Sequence, residues 1–257
     1  MTDLTGLVLT FNEAPNIGRT LERLCWLRDV VVVDSMSTDE TIAIASRFPN
    51  VRVFQRAFTT HAEQWNYALE HTAIATGWVL ALDADYILTD TLIGEIRSLQ
   101  PDEHTGGFEA AFEYCIDGRP LRGGVYPPVT VLYRRTAGRY EQDGHTQRVR
   151  ITGAVERLAG RIQHDDRKPI SHWLSAQARY MKLEAEKLTQ RPAPVGLADA
   201  VRRWVVIAPP AMFFYSYFVR GGILDGRAGL FYALQRTVSE LILSLFLVRR
   251  KLNGPAD

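Results

Sequence analysis

Gly77-Trp78-Val79-Leu80-Ala81-Leu82-Asp83-Ala84-Asp85 is the stretch on which the fold turns. An apolar run enters it and two carboxylates, one residue apart, close it. Such a run predicts a strand buried on both faces, as in a parallel sheet. Alternation along a strand puts Asp83 and Asp85 on one side and Ala84 on the other. In open α/β sheets ligands gather beyond the carboxyl ends of the strands, where this pair is expected. Two hard oxygen ligands suit a divalent cation, Mg2+ or Mn2+, that keeps waters and shares a substrate's phosphates. An ordinary strand-end turn with one capping Asp has the same spelling, so the flanking sequence must decide.

Upstream, residues 6–11 read as a strand. Asn12-Glu13-Ala14-Pro15-Asn16 is a turn in which Asn12 or Asn16 caps the next helix. Ile17, Leu21, Leu24 and Leu27 then recur at helical spacing. Val30-Val31-Val32-Val33 is too rich in β-branched residues for a good helix. It runs into Asp34-Ser35-Met36-Ser37-Thr38-Asp39, then a helix over 41–48, a strand over 51–54 and a helix over 62–75. Strands alternating with helices predict right-handed crossovers and an α/β fold with a mostly parallel sheet flanked by helices. Trp65 and Trp78 read as core.

The whole chain sets bounds. At 257 residues it can bury one sizeable core and carry a small appendage. A net charge of +1 gives no support for a nucleic-acid partner. From residue 191 onward nine Lys/Arg face four Asp/Glu, so the greasiest end is also the basic one. Two cysteines, Cys25 and Cys115, make no disulfide framework or metal spacing and point to a reducing compartment. The N-terminus has no signal-peptide pattern.

Three motifs now stand in order: Thr10-Phe11-Asn12-Glu13, Val33-Asp34-Ser35-Met36-Ser37-Thr38-Asp39 and Leu82-Asp83-Ala84-Asp85. Together they resemble the N-terminal half of family-2 glycosyltransferases, which have the Rossmann-like GT-A fold, and among these the lipopolysaccharide-core glucosyltransferase branch. The resemblance covers residues 5–190. It implies that Thr10, Phe11, Asn12, Glu13, Asp34 and Ser35 hold the nucleotide of a sugar donor. It also implies that Asp83 and Asp85 hold the ribose and a diphosphate-bound metal. Two positions depart from the family pattern: Ser35 replaces a common second acid, and Tyr86 a common Glu. In Thr59-Thr60-His61-Ala62-Glu63-Gln64-Trp65-Asn66, Gln64 and Asn66 either reach the nucleotide or simply open a helix.

Downstream, residues 106–116 read as a strand closed by the tight turn Asp117-Gly118, and residues 129–133 as another. Gly123-Gly124 marks either a close approach to a ligand or a hairpin. Inverting transfer needs a carboxylate or imidazole to take the acceptor hydroxyl's proton, and a cation to stabilise the leaving diphosphate. By resemblance, Asp143 in Glu141-Gln142-Asp143-Gly144-His145 stands in the base's place, with Gln142 where Glu is usual. His145 competes with it and Glu141 is third; the cluster also reads as a polar turn. His164 is placed like the histidine that completes the metal shell of GT-A enzymes, and imidazole beside carboxylates suits Mn2+ better than Mg2+. Arg167 and Lys168 are either diphosphate clamps or a solvated charged turn.

Residues 172–188 predict an amphipathic helix, and 191–196 a linker. The expected organisation is a GT-A catalytic domain over 1–190 and a basic, hydrophobic helical appendage over 191–257. Residues 204–219 are uncharged but number only 16, and Pro209-Pro210 interrupts them. Residues 229–248 carry Arg236 and Glu240 at mid-span, which argues against a transmembrane helix. Arg202, Arg203, Arg220, Arg227, Arg249, Arg250 and Lys251 flank these segments. That composition fits in-plane helices on an anionic membrane surface, or a hydrophobic interface between copies of the chain.

The expectation is a peripheral, metal-dependent, inverting glycosyltransferase on the cytoplasmic face of the inner membrane. The donor is a nucleotide sugar, by resemblance UDP-hexose, and the acceptor a lipid-linked saccharide or lipopolysaccharide-core intermediate. Two alternatives stand beside it. Ala200-Val201-Arg202-Arg203-Trp204 partly echoes the Gln-x-x-Arg-Trp of processive polysaccharide synthases. Ser35 and Gln142 motivate a non-catalytic nucleotide-sugar-binding adaptor.

Overall fold

The computed structural model describes residues 3–143, 146–190, 197–202 and 204–253, without the side chains of 143, 146, 197–199 and 253. Two compact units emerge: Met1–Gly118 with Tyr126–Lys168, and Arg119–Val125 with Pro169–Asp257.

The first unit opens with β1 (Leu4–Thr10), α1 (Ile17–Glu22), β2 (Val30–Asp34), α2 (Thr41–Ala45), β3 (Val51–Gln55) and α3 (His61–His71). There follow β4 (Trp78–Asp83), β5 (Tyr86–Leu88), α4 (Asp90–Ser98) and β6 (Thr105–Ile116). Beyond β7 (Arg119–Pro120), which belongs to the second unit, come β8 (Val129–Arg134), β9 (Gly138–Asp143), β10 (Thr146–Ile151) and β11 (Ala154–His164). Among the described residues eight strands of this unit form one sheet in the order β3-β2-β1-β4-β8-β6-β11-β5. β3, β2, β1 and β4 are mutually parallel. β8 runs antiparallel to β4 and β6, β11 parallel to β6, and β5 antiparallel to β11. The sheet is thus parallel where strand and helix alternate in sequence and mixed beyond; β9 and β10 form a separate hairpin.

Alternation along the strands divides the core in two. Val8, Val32, Leu80 and Leu82 join Ile17 and Leu21 of α1 and Leu92 and Ile96 of α4 on one face. Leu7, Val31, Val33, Val79 and Ala81 join Ala62, Trp65, Ala68 and Leu69 of α3 on the other. Trp65 and Trp78 are buried in these clusters, as expected. The register pairs Thr10 with Asp34 and Leu9 with Asp83, so β1, β2 and β4 end almost level. The three motifs meet at that edge.

Several boundaries move. β4 stops at Asp83, and Ala84 and Asp85 turn the chain into β5, so the two carboxylates are not strand neighbours on one face. α1 ends at Glu22, although Leu24 and Leu27 remain buried in the following turns. The Asp117-Gly118 turn is present, with φ of 50° and 75°, values that glycine adopts freely at the second position.

In the second unit α5 (Ile170–Gln190), α6 (Leu197–Arg202), α7 (Ala208–Phe214) and α8 (Gly226–Asn253) dominate. Met181, Ala185 and Leu188 of α5 pack with Leu243 and Leu247 of α8, so α5 belongs to the second compact unit. Arg202 bridges buried Glu184 and Glu240 at 3.3 and 3.1 Å. Glu240, one of the two mid-span charges of α8, is therefore paired inside the unit. By length and composition alone the helix over 222–252 is apolar enough to cross a membrane, and 33% of its most apolar window is buried in the protein. Gly123 packs where a Cβ would come within 2.9 Å of the Gly222 backbone, so its freedom serves chain packing.

Candidate active site

The loops after β1 and β2 are laced together. The Asn12 N–H donates to Ser37 Oγ (2.8 Å), Glu13 N–H to Thr41 Oγ1 (2.8 Å) and Ala14 N–H to Asp39 Oδ2 (3.1 Å). Asn12 takes a left-handed φ of 52°, and its Oδ1 accepts from Thr38 N–H at 2.8 Å. Asp34 is fully buried. Its carboxylate accepts from Thr10 Oγ1 (2.9 Å), from Ser37 N–H (2.8 Å) and from the Ser37 hydroxyl. Asp34 thus shapes the loops with oxygens already engaged. Phe11 and Met36 stand half-exposed at the loop tips, and Ser35 is buried beneath them.

Asp83 and Asp85 lie at the edge beside these loops. Burial first, then the Asp85 charge, push the Asp83 carboxyl up to about 6. Burial also acts on Asp85, but His164 and Lys168 outweigh it and hold that carboxyl below its usual value. His164 Nε2 lies 3.0 Å from Asp85 Oδ2, and pairing of Asp85 with His164 raises the imidazole despite burial. Tyr86, Tyr114 and Tyr126 meet this imidazole edge-on at ring distances of 5.3, 5.0 and 4.9 Å, and its buried Nδ1 has no hydrogen-bond partner among the described residues. Tyr86, where the family often has Glu, joins its hydroxyl to that of Tyr126 at 2.8 Å.

Glu13 is pushed up to about 7, by burial and then by Asp85. Its partner Lys168 is raised by Glu13, Asp166 and Asp85 although burial opposes them. One lysine therefore answers three carboxylates.

Asn16 organises this corner, and sequence reading gave it only a capping role. Fully buried, it donates through Nδ2 to Glu13 Oε2 (2.7 Å) and Asp166 Oδ1 (2.8 Å). Its Oδ1 accepts from Arg19 Nη2 (2.7 Å) and Arg167 N–H (2.9 Å). It makes no side-chain cap. Arg19 goes on to Asp165 Oδ2 at 2.6 Å, and Arg167 Nε reaches the same atom at 2.9 Å. Arg167 and Lys168, expected either as diphosphate clamps or as a solvated charged turn, are tied to carboxylates in this state. No local motif announces contacts 146 to 151 residues apart.

Other expectations are redirected. Gln64 is fully buried, donating to Ser35 Oγ (3.1 Å) and accepting from Arg56 Nη1 (2.6 Å); it supports the second loop from below. Asn66 holds both backbone groups of Tyr140 at 2.9 and 3.0 Å, fastening α3 to β9. Gln142 Oε1 accepts from Ala62 N–H at 3.2 Å at the start of α3, and Glu141 pairs with Arg150 at 2.9 Å. The backbone of Asp143 ends β9; its side chain and all of His145 lie outside the described residues. Among the described residues no three His, Cys, Asp or Glu side chains group so as to hold a metal ion. Of the residues expected to hold the metal, Asp85 and His164 face each other through Oδ2 and Nε2, and Asp83 lies within reach of both charges. Carboxylates so placed are the donors of a cation that completes its shell with water and substrate phosphates.

The profile of Glycosyl transferase family 2 matches residues 7–156. A lipopolysaccharide core biosynthesis glycosyltransferase, LpsC of Rhizobium meliloti (strain 1021), is 26% identical over 96% of this chain and 92% of its own length. In fold, the chain is similar to the mannosyltransferase PcManGT of Pyrobaculum calidifontis in complex with GDP-Man and Mn2+. The TM-score is 0.56 at 18% identity, covering 99% of this chain and 88% of that one. It is also similar to S. aureus TarS 1–349 in complex with UDP-GlcNAc, with a TM-score of 0.51 at 16% identity over 96% and 92% of the two chains. A parallel sheet whose level strand ends gather three loops, a mixed continuation of GT-A type and a profile match over more than half its length make this chain a member of glycosyl transferase family 2.

Proposed function

We propose that the chain transfers a hexose from a nucleotide sugar, UDP-hexose foremost, to a lipid-linked saccharide or lipopolysaccharide-core acceptor, with inversion and with a divalent cation. The observation that carries the reading is the Asp83/Asp85 pair at the sheet edge, Asp85 buried and Asp83 partly so, with Asp83 raised to about 6 by desolvation and its neighbour's charge. Such a pair is relieved by a cation. The kinship with LpsC supports the acceptor class, and the nucleotide sugars held by PcManGT and TarS support the donor class.

In this reading Asp83 and Asp85 hold Mn2+ or Mg2+, and His164 orients Asp85 from behind. When bound, the cation stabilises the leaving diphosphate. The loops of Thr10–Glu13 and Asp34–Ser35 seat the nucleotide, with exposed Phe11 offering an apolar face. Lys168 and Arg167 turn from their carboxylates to the diphosphate. Asp143 takes the acceptor's proton, with His145 the competing base on the same hairpin. The basic, apolar surface of the second unit holds the enzyme peripherally at the cytoplasmic face of the inner membrane, where a lipid-linked acceptor is within reach.

The test is nucleotide release from UDP-, GDP- and dTDP-sugars, with Mn2+ or EDTA, with and without a membrane-lipid extract from the protein's source. Metal-dependent UDP release, raised by the extract, is expected. Asp85→Ala should remove metal-stimulated turnover while leaving the circular dichroism unchanged. Full activity in that variant would refute the assignment.

A further inference from the structure

We infer that a cleft between α5 and α8 seats one anionic phospholipid, its acyl chain on the apolar lining and its phosphate on the cationic one. Beside the buried seam that joins these helices, a cleft of about 490 Å³ opens. Ala178, Ile242, Leu245 and Phe246 give it an apolar lining, and Lys182, Arg249 and Arg250 a cationic one. Its volume falls within the range of pockets that hold small apolar ligands. Ala178 contributes only a methyl group, which leaves the flank of the seam open.

Charge and polarity select the occupant. All three charged residues lining the cleft are cations. Arg250 is fixed in place by Glu186 at 3.0 Å and Thr189 Oγ1 at 2.9 Å. Leu245, in the apolar lining, is 71% exposed, and Leu241, Val248 and Leu252 continue the exposed apolar surface along α8. An amphiphile with an anionic head satisfies both linings together. A second copy docking through the same face would set like-charged linings against each other, which opposes an isologous dimer here. The inference rests on the peripheral-membrane part of the reading above and adds to it a defined, one-to-one lipid site.

Native mass spectrometry of the full chain in mild detergent, titrated with phosphatidylglycerol or phosphatidylcholine, tests this. A single phosphatidylglycerol adduct is expected, favoured over phosphatidylcholine. The double variant Lys182→Glu/Arg249→Glu should weaken it by about thirtyfold, equivalent to ~2 kcal/mol at ~1 kcal/mol per basic residue. Ala178→Phe should abolish it by filling the cleft with the charges intact. Circular dichroism confirms that each variant is folded.

An adduct unchanged in both variants overturns the site. So does full displacement by inorganic phosphate with no dependence on acyl length, which would mean an ion site only. A dimer in lipid-free detergent that Ala178→Phe dissociates would assign the cleft to a second copy instead. Sedimentation with phosphatidylglycerol vesicles separates the failures. If the wild type binds vesicles but the variants keep the adduct, the cleft is wrong and the membrane reading stands. If the wild type takes neither vesicles nor lipid, both fall. Neither readout depends on donor turnover.

Discussion

Asn16→Ala probes the corner where the first loop meets the segment after β11. The substitution deletes four hydrogen bonds of 2.7–2.9 Å, made by a fully buried amide. Three go to charged partners, worth about 1.5–3 kcal/mol each in isolation, and one to a backbone N–H, worth about 1 kcal/mol. The partners are not abandoned: Glu13 keeps Lys168, Arg19 keeps Asp165, and Asp166 still accepts from Lys168 N–H at 3.0 Å. Taking the lower bounds and discounting their sum by roughly half for those residual contacts leaves a loss of ~3 kcal/mol. At a urea slope of about 2 kcal/mol/M the midpoint should fall by roughly 1.5 M. Because the chain has two compact units, the loss should be read in the first one, by hydrogen exchange of α1 amides alongside the denaturation curve. Donor KM should rise as the Arg167–Lys168 segment loses its anchor. Asn16→Asp should be worse than Ala, since it sets a third carboxylate between Glu13 and Asp166. A loss below about 1 kcal/mol in Asn16→Ala, or an Asp variant as stable as wild type, would refute the network's weight.

Arg202→Met removes the guanidinium that bridges buried Glu184 and Glu240 and should cost the second unit about 3–5 kcal/mol. Adding Glu184→Gln and Glu240→Gln to it should recover most of that loss in a thermal melt. In metal-free protein Glu13 is raised from 4.5 to about 7, so the folded state holds the proton more tightly than the unfolded chain. Its stabilisation is complete below about pH 4.5 and is lost as pH rises toward 7. Glu13→Gln should flatten that fall of the melting temperature with pH in EDTA; an unchanged slope would show that Glu13 does not titrate there.

The first half of the fold was legible because its signals are local. Four consecutive valines make a strand wherever they fall, and an apolar run ending in Asp-Ala-Asp marks a strand end. Beyond Leu88 legibility drops. β9 and β10 are a hairpin of charged residues with little apolar alternation, and β11, largely exposed, finds its partners β5 and β6 far back in the chain. Only the alternation of buried Leu158, Gly160 and Ile162 in β11 hinted at one. The site followed the same division. Asp83 and Asp85 stood out as candidates from motif order, whereas Gln64 and Asn66, of the same polar spelling, brace loop and hairpin.

By itself the sequence determined the parallel half of the sheet, the loops that end its strands and the family, because side-chain period and turn chemistry act over a few residues. Only the tertiary structure decided how those loops are used. It spent Asp34 inside the fold, faced His164 to Asp85, bound Arg167 and Lys168 to carboxylates and made Asn16 their common anchor. Those choices depend on burial and on partners as many as 155 residues away, and neither is written in any local stretch.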